Sequence, residues 1–458
     1  MILFPIGWII IPLSIFFFVY FPKRLLYLTV FFIPFTGTSV FKISLSGIDA
    51  DGIRVSMFLG TLCLLQFILT NLKKFRKVNE KIKSTTFILI LISLSVTISA
   101  FMPAIINGSL KVLDPYGEGL VYYAKEVPLT FRFQYITQYL FFLFGLLFSL
   151  YLNKITVGKD LLTNVIKIYL ISSIFVSFWG WFEYFCFFTG IKYPGFLFNQ
   201  NSVNFSSILL DDNGFPRITS VALEPSIMSQ QLLTALPFLF WAFYFKEKIL
   251  SRVFDFIGVL SISLVLVFSL STTAYVGLAL MFLFAIIILF REGKIKRWFV
   301  FLLFTIITGI GFVSPVLVEN VLLKLGSYSG IERFKSLEYG WKYFLEYPIF
   351  GIGWGVFPSW DLITCTLAGG GLITFFLFVL LFTKNLFKQS KIVKKVGDYS
   401  NSNFSRPILT GIFQSTIMLL IVSQISGFTY YAMYFWFILA ISISMNQLNL
   451  ISKNKING

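Results

Sequence analysis

Apolar stretches of about twenty residues recur along the whole chain, separated by short polar segments. Each is long enough to cross a hydrocarbon core of roughly 30 Å as a helix. The pattern predicts spans near residues 2–21, 25–41, 55–72, 85–106, 134–152, 161–182, 226–245, 255–270, 272–290, 298–318, 363–383, 407–425 and 432–449. That is an all-α, polytopic transmembrane bundle of about 12–14 spans. The first run is followed by neither a small-residue cleavage site nor a soluble domain, so it reads as a true span. No internal repeat or low-complexity tract stands out, and the chain reads as a single membrane domain.

The composition agrees with the pattern: 57% of the 458 residues are hydrophobic and 12% charged. The net charge of +17 would suggest nucleic acid in a soluble protein. Its distribution gives another meaning. One set of alternate connections holds "PKR", "KKFRKVNEKIK", "NKITVGKD", "KEKILSR", "REGKIKR", "KNLFKQSKIVKK" and "KNK" and, with Lys167, carries about +20; the other carries about −3. The positive-inside rule makes the basic set cytoplasmic. The charge therefore encodes topology and points to no nucleic-acid partner. Three cysteines make no metal spacing, though Cys186 and Cys365 fall near the same face and could pair. Histidine is absent, which removes His-based catalysis and His metal sites.

Three connections predicted to lie outside are long: 107–133, 183–225 and 319–362. Connections beyond about 15 residues are uncommon unless functional or disordered. These contain turns, aromatics and paired charges, so the outer surface is the expected working face. Lys167 and Glu183 are placed at span ends, where a long side chain reaches water. The spans hold no charge that can be assigned to mid-membrane, which argues against an ion-coupled carrier.

Two segments concentrate candidate chemistry. "RITSVALEPS" (217–226) precedes a span. Pro225 suits the first turn of a helix, which sets Glu224 at its N-terminus, where the dipole favours an anion. Arg217 could fold back onto Glu224 as a plain interfacial ion pair, or bind an anionic substrate group. The second segment is "GIERFKSLEYGWKYFLEYPIFGIGWGVF" (330–357). Residues 332–346 have helical character, with Arg333, Leu337 and Trp341 on one face and Lys335, Glu338 and Lys342 as a charged stripe. The helix could simply lie in the interface. Gly351, Gly353 and Gly355 then form a turn that lets backbone approach something closely.

Together the two segments resemble the O-antigen polymerase and ligase superfamily. Its members show an Arg followed by Glu-Pro-Ser ahead of a span, and an Arg, a Trp and a Gly-rich turn ahead of a late span. The specific matches lie at 217–226 and 333–357. The resemblance implies a polyprenyl-pyrophosphate-linked oligosaccharide substrate, used at the outer face of the bacterial inner membrane without a nucleotide sugar or other cofactor. It also implies that Arg217 and Arg333 hold the pyrophosphate. Arg54 and Lys342 are further candidates for phosphate contact, and Trp341 and Trp354 for glycan contact. A chain-length regulator protein is a further expected partner. Ligases of this superfamily carry His-Asn and then a Glu at the late span, but here Trp360, Asp361 and Gly369 occupy those positions. The missing histidine favours a polymerase over a ligase.

The chemistry fits this reading. A lipid pyrophosphate leaves as a stable anion and needs charge stabilisation more than protonation. Arg supplies it through a planar fork that stays charged. Glu224 and Asp361 are the candidate bases for the attacking hydroxyl. Asp49 and Asp51 form an Asp-x-Asp pair that could hold a divalent metal, but two aspartates beside glycine are more often turn residues. The favoured expectation is a metal-independent polymerase; a flippase or other transporter of the same lipid-linked sugar and a ligase remain its rivals.

Overall fold

The structure is a computed structural model describing residues 2–42, 52–71, 84–114, 125–156, 158–200, 208–210, 214–291, 328–357, 359–396, 405–427 and 429–456. The expected span at 298–318 and the Asp49–Asp51 pair lie outside the described residues.

The helices are α1 (Pro5–Tyr20), α2 (Pro22–Phe31), α3 (Val55–Asn71), α4 (Ser84–Ala100), α5 (Met102–Ile106), α6 (Phe133–Ile155) and α7 (Lys159–Thr189). They continue with α8 (Pro225–Phe245), α9 (Arg252–Phe268), α10 (Thr272–Arg291), α11 (Tyr328–Glu346), α12 (Leu362–Val396), α13 (Arg406–Val422) and α14 (Met433–Ile456). Among the described residues, six helices are long and apolar enough to cross a membrane. The protein is a polytopic helical bundle, as its hydrophobic pattern predicts.

One expected span does not form as drawn. Residues 25–41 give only the end of α2, and the chain then turns into strand β2 (Ser39–Lys42). Pro34 and Gly37, amid Thr36 and Thr38, interrupt the helix. β2 pairs antiparallel with β1 (Ile2–Leu3) and β3 (Ile53–Arg54) in a small sheet. A second hairpin pairs β4 (Lys111–Leu113) with β5 (Glu126–Pro128).

Helix α8 is the axis of the bundle. Its apolar window is 89% buried, against 33–56% for the other five long helices. It packs on α13, α9 and α10. Its buried polar side chains find partners on those and other helices. The Gln231 amide donates to Ser173 Oγ at 2.7 Å, and Gln230 bonds the Ser426 carbonyl and Tyr434. Such bonds fix the rotation of a helix that has no lipid-facing side.

Helix α12 is interrupted at Gly371, with φ 70° and ψ −175°. The break is filled by backbone from the Gly-rich turn. In a regular helix Leu372 N–H would bond Ala368 C=O; instead it donates to Pro348 C=O at 2.8 Å. The freed Ala368 carbonyl accepts from Ile352 N–H at 2.8 Å. The next carbonyl, Gly369, accepts from Ser99 Oγ. A second chain segment thus completes the ladder, which is how a break survives inside a membrane protein.

Candidate functional site

Four segments meet at the end of the bundle where α8 begins. They are the loop 214–224, the first turn of α8, helix α11 and the start of α12.

The loop comes first. Pro225 occupies the first turn of α8, and Glu224 is its N-cap, with an extended backbone. The Glu224 side chain makes no capping bond; among the described residues it accepts only a long bond, 3.3 Å, from Ser226 Oγ. Its carboxylate therefore stays at the positive end of the helix dipole with most of its acceptor capacity unused. Upstream, Arg217 N–H donates to Leu209 C=O at 2.8 Å. Ser220 has φ +54°, uncommon for a residue with a side chain. Its carbonyl accepts from Asn199 Nδ2 at 2.8 Å and Tyr193 Oη at 3.1 Å. Gly37 N–H bonds the Val221 carbonyl at 3.0 Å. The loop is thus gripped from several sides.

Helix α11 starts at Tyr328, one turn before the expected residue 332. Its buried side carries Glu332, Ser336, Gly340 and Tyr343. Ser336 Oγ accepts from Trp360 N–H at 3.1 Å and donates to Ser359 Oγ at 3.3 Å, which ties α11 to the start of α12. The expected common face of Arg333, Leu337 and Trp341 divides. Leu337 and Trp341 are exposed, whereas the Arg333 Nε is buried. Each four-residue step turns a helix by about 40°, so Trp341 lies roughly 80° round from Arg333.

Arg333 meets the start of α12. Its guanidinium lies over the Trp360 ring, 5.7 Å from the centroid. Its pKa is lowered from the ordinary value, first because burial penalises the charge. Glu224 opposes this shift, Arg217 adds to it, and Glu332 opposes it again. Arg217, Glu224 and Arg333 thus act on one another across two distant parts of the sequence. Among the described residues, the Nε atoms of both arginines are buried without a hydrogen-bond partner. An unpartnered buried donor on a cation is costly unless something completes it. Two such donors, on arginines that act on each other electrostatically, suit an anion with several oxygens.

The other candidates are placed as follows. Asp361 caps α12: it accepts Thr364 N–H at 2.7 Å, Ser359 Oγ at 2.8 Å and Thr364 Oγ1. Its carboxylate is thereby occupied by capping. Lys342 lies against Glu126 at 3.8 Å on the β4–β5 hairpin, half exposed and apart from the arginine pair. Arg54 donates to the Tyr431 carbonyl at 3.0 Å. Trp354 is 3% exposed and packs edge-on to Phe142 at 4.8 Å, so it belongs to the core here. Trp341, 41% exposed, is open to a ligand. The three cysteines are free, so Cys186 and Cys365 do not pair.

Glu183 corrects the expectation of a water-reaching span end. It is fully buried, and its carboxylate accepts Thr219 N–H at 2.9 Å, Ser220 N–H at 2.6 Å and Thr219 Oγ1 at 2.8 Å. The signal was present in "WGWFEYFCFF", a lone carboxylate among aromatics that had to find donors.

The bundle defines a multi-pass membrane protein, and Arg217, Glu224 and Arg333 act on one another electrostatically where its axial helix begins. Residues 257–364 match the family model described as O-antigen ligase. That match bears out the resemblance to the O-antigen polymerase and ligase superfamily, and it does not separate the two branches. The matched segment contains Arg333, Trp341, Trp360 and Asp361, and it begins after the loop that carries Arg217 and Glu224. No curated protein matches the chain.

Proposed function

We propose that the protein is a polymerase of surface polysaccharide. It joins polyprenyl-pyrophosphate-linked oligosaccharide units at the outer face of the bacterial inner membrane, as a metal-independent glycosyltransferase. The observation that carries this reading is that Arg217 and Glu224 both act electrostatically on Arg333, and that each arginine has a buried Nε without a partner among the described residues. In the reaction, an acceptor sugar hydroxyl attacks the anomeric carbon of the donor unit. The bond from that carbon to the pyrophosphate oxygen breaks, and the lipid pyrophosphate leaves with the electron pair. The arginine forks take up the developing charge. Glu224 accepts the hydroxyl proton, because the Asp361 carboxylate already serves the start of α12. Trp341 is the exposed aromatic available to a sugar face.

A ligase is the second reading, favoured by the description of the matched family model. Against it stands Trp360, where the resembling ligases carry histidine, in a chain with none. Glycan length in a deletion strain separates the readings. A polymerase defect leaves single repeats attached to the surface acceptor. A ligase defect leaves long polymer on its lipid carrier. Units retained on the cytoplasmic side point to a flippase and overturn both. For the purified enzyme, a chelator should leave turnover unchanged; loss restored by Mg²⁺ or Mn²⁺ would return attention to Asp49 and Asp51.

A further inference from the structure

We infer that Glu183 is a positioning residue for Arg217: it holds the Thr219–Ser220 backbone so that the Arg217 fork faces an anionic ligand. The inference rests on the pyrophosphate reading of the Arg217–Arg333 site and adds a residue to it.

The geometry is specific. One carboxylate oxygen, Oε2, takes two successive backbone N–H groups, at 2.9 Å from Thr219 and 2.6 Å from Ser220. Consecutive N–H groups turned to one side form a nest that binds an anion. Here the anion is built into the protein, on α7. The second oxygen takes Thr219 Oγ1 at 2.8 Å. The nest forces Ser220 to φ +54°, a conformation that costs on the order of 1 kcal/mol for a residue with a Cβ. That cost is offset by three bonds at Ser220 itself: its Oγ donates to Val176 C=O at 2.7 Å, and its carbonyl accepts from Tyr193 and Asn199.

Arg217 lies two residues before this nest, and its own N–H is fixed to Leu209. Between them Ile218 is buried; a Cβ added at Gly180 of α7 would come within 2.7 Å of its Cγ2. Every residue from 217 to 220 is therefore pinned by α7 or by a neighbouring loop. The hydrogen bonds of Glu183 run to Thr219 and Ser220, which leaves the Arg217 fork to a ligand. A fork held in advance loses less entropy when it binds.

A double-mutant cycle tests this. Wild type, Glu183→Gln, Arg217→Ala and the double variant are purified in detergent, and their affinity for farnesyl pyrophosphate is measured beside their melting temperatures. The Gln amide can turn its oxygen to the two N–H donors and its N–H₂ to the Thr219 hydroxyl, so what it removes is the negative charge that anchors the nest. Glu183→Gln should weaken binding about tenfold, on the scale seen when an outer orienting partner is removed. The double variant should bind no worse than Arg217→Ala alone, because the positioned fork is then already gone. Losses that multiply would make Glu183 a support for the fold only and overturn the inference, as would unchanged binding in Glu183→Gln. Wild-type affinity in Arg217→Ala would sink the pyrophosphate reading itself, and this inference with it. If Glu183→Gln fails to reach the membrane, Thr219→Val removes one bond to the same carboxylate and runs the same cycle; a smaller loss, absent in the Arg217→Ala background, is the result expected, and losses that multiply again overturn the inference.

Discussion

At the residue scale, a guanidinium and an ammonium are different tools. Pyrophosphate oxygens are spread in space, and a planar fork can grip two at once, whereas a lysine offers a point charge. Arg217 and Arg333 each have one buried donor without a partner among the described residues, a hydrogen bond that an anion's oxygen would complete. Arg217→Lys should therefore fail almost as badly as Arg217→Ala, with turnover down by about 10²–10³ in either case, and Arg333→Ala should match them. The measurement is in vitro polymerisation, scaled to the amount of protein in the membrane. Full-length polymer from both Arg→Ala variants at normal membrane levels would mean that the site lies elsewhere. Much of this site was legible in the sequence. Arginines near predicted membrane surfaces are conspicuous, and Pro225 marked the helix that Glu224 heads. Glu183 was not legible in its role. Its partners are backbone N–H groups 36 and 37 residues away, and nothing in the identity of Thr219 or Ser220 announces them. The occupation of Asp361 was hidden for a related reason: an aspartate before a helix reads equally well as a cap or as a base until its donors are seen.

At the scale of elements, the Gly-rich turn has acquired a different explanation. Its glycines were expected to admit something close, and what they admit is the protein's own chain. A Cβ on Gly351 would fall against the Ala368 carbonyl, and one on Gly371 against the Ile349 carbonyl. Both glycines also have positive φ. The turn and the break in α12 are one unit, in which each supplies the hydrogen bonds that the other lacks. Trp360, on which Arg333 rests, lies in the stretch of chain between the two halves of this unit and is held by Ser336 of α11. Gly369 lies only two residues from the break, yet a Cβ there meets nothing closer than 3.7 Å, and its φ is not positive. Gly371→Ala should destabilise the protein by roughly 1–3 kcal/mol or more, through backbone strain and collision together. Gly369→Ala should be nearly neutral. Melting temperatures of the two variants in detergent check the contrast, and equal melting temperatures would remove the unit from the account. The periodicity of the sequence could not show the break, since apolar residues continue on both sides of it. Hydropathy reports what a segment is buried in, and it is blind to a ladder completed by another segment. The same blindness drew a span over 25–41, where the chain leaves its helix for a strand.

At the scale of the whole molecule, the site has meaning only on one side of a membrane. The lipid-linked donor proposed here is used at the outer face, so the end of the bundle holding Arg217 and Arg333 must lie outside. The distribution of lysine and arginine gives that orientation independently of any site argument. By that distribution the basic connections, including Lys246–Lys248 after α8, are expected in the cytoplasm, and the β4–β5 hairpin beside α11 outside. Helix α8 links the two statements, because it begins at Glu224 and ends at Lys246 after 21 residues. At 1.5 Å per residue that is about 31 Å, one hydrocarbon thickness. If Glu224 is outside, Lys248 must be inside. Single cysteines at Ser109, on the hairpin side, and at Lys248 test this in a background without Cys63, Cys186 and Cys365. Both positions are exposed, so reagent access depends on sidedness and not on burial. A membrane-impermeant maleimide applied to intact spheroplasts should label Ser109→Cys and spare Lys248→Cys until the membrane is opened. The reverse pattern would place the arginine pair in the cytoplasm, where an externally presented donor never reaches it. The polymerase reading would then fail even with every contact in the site intact.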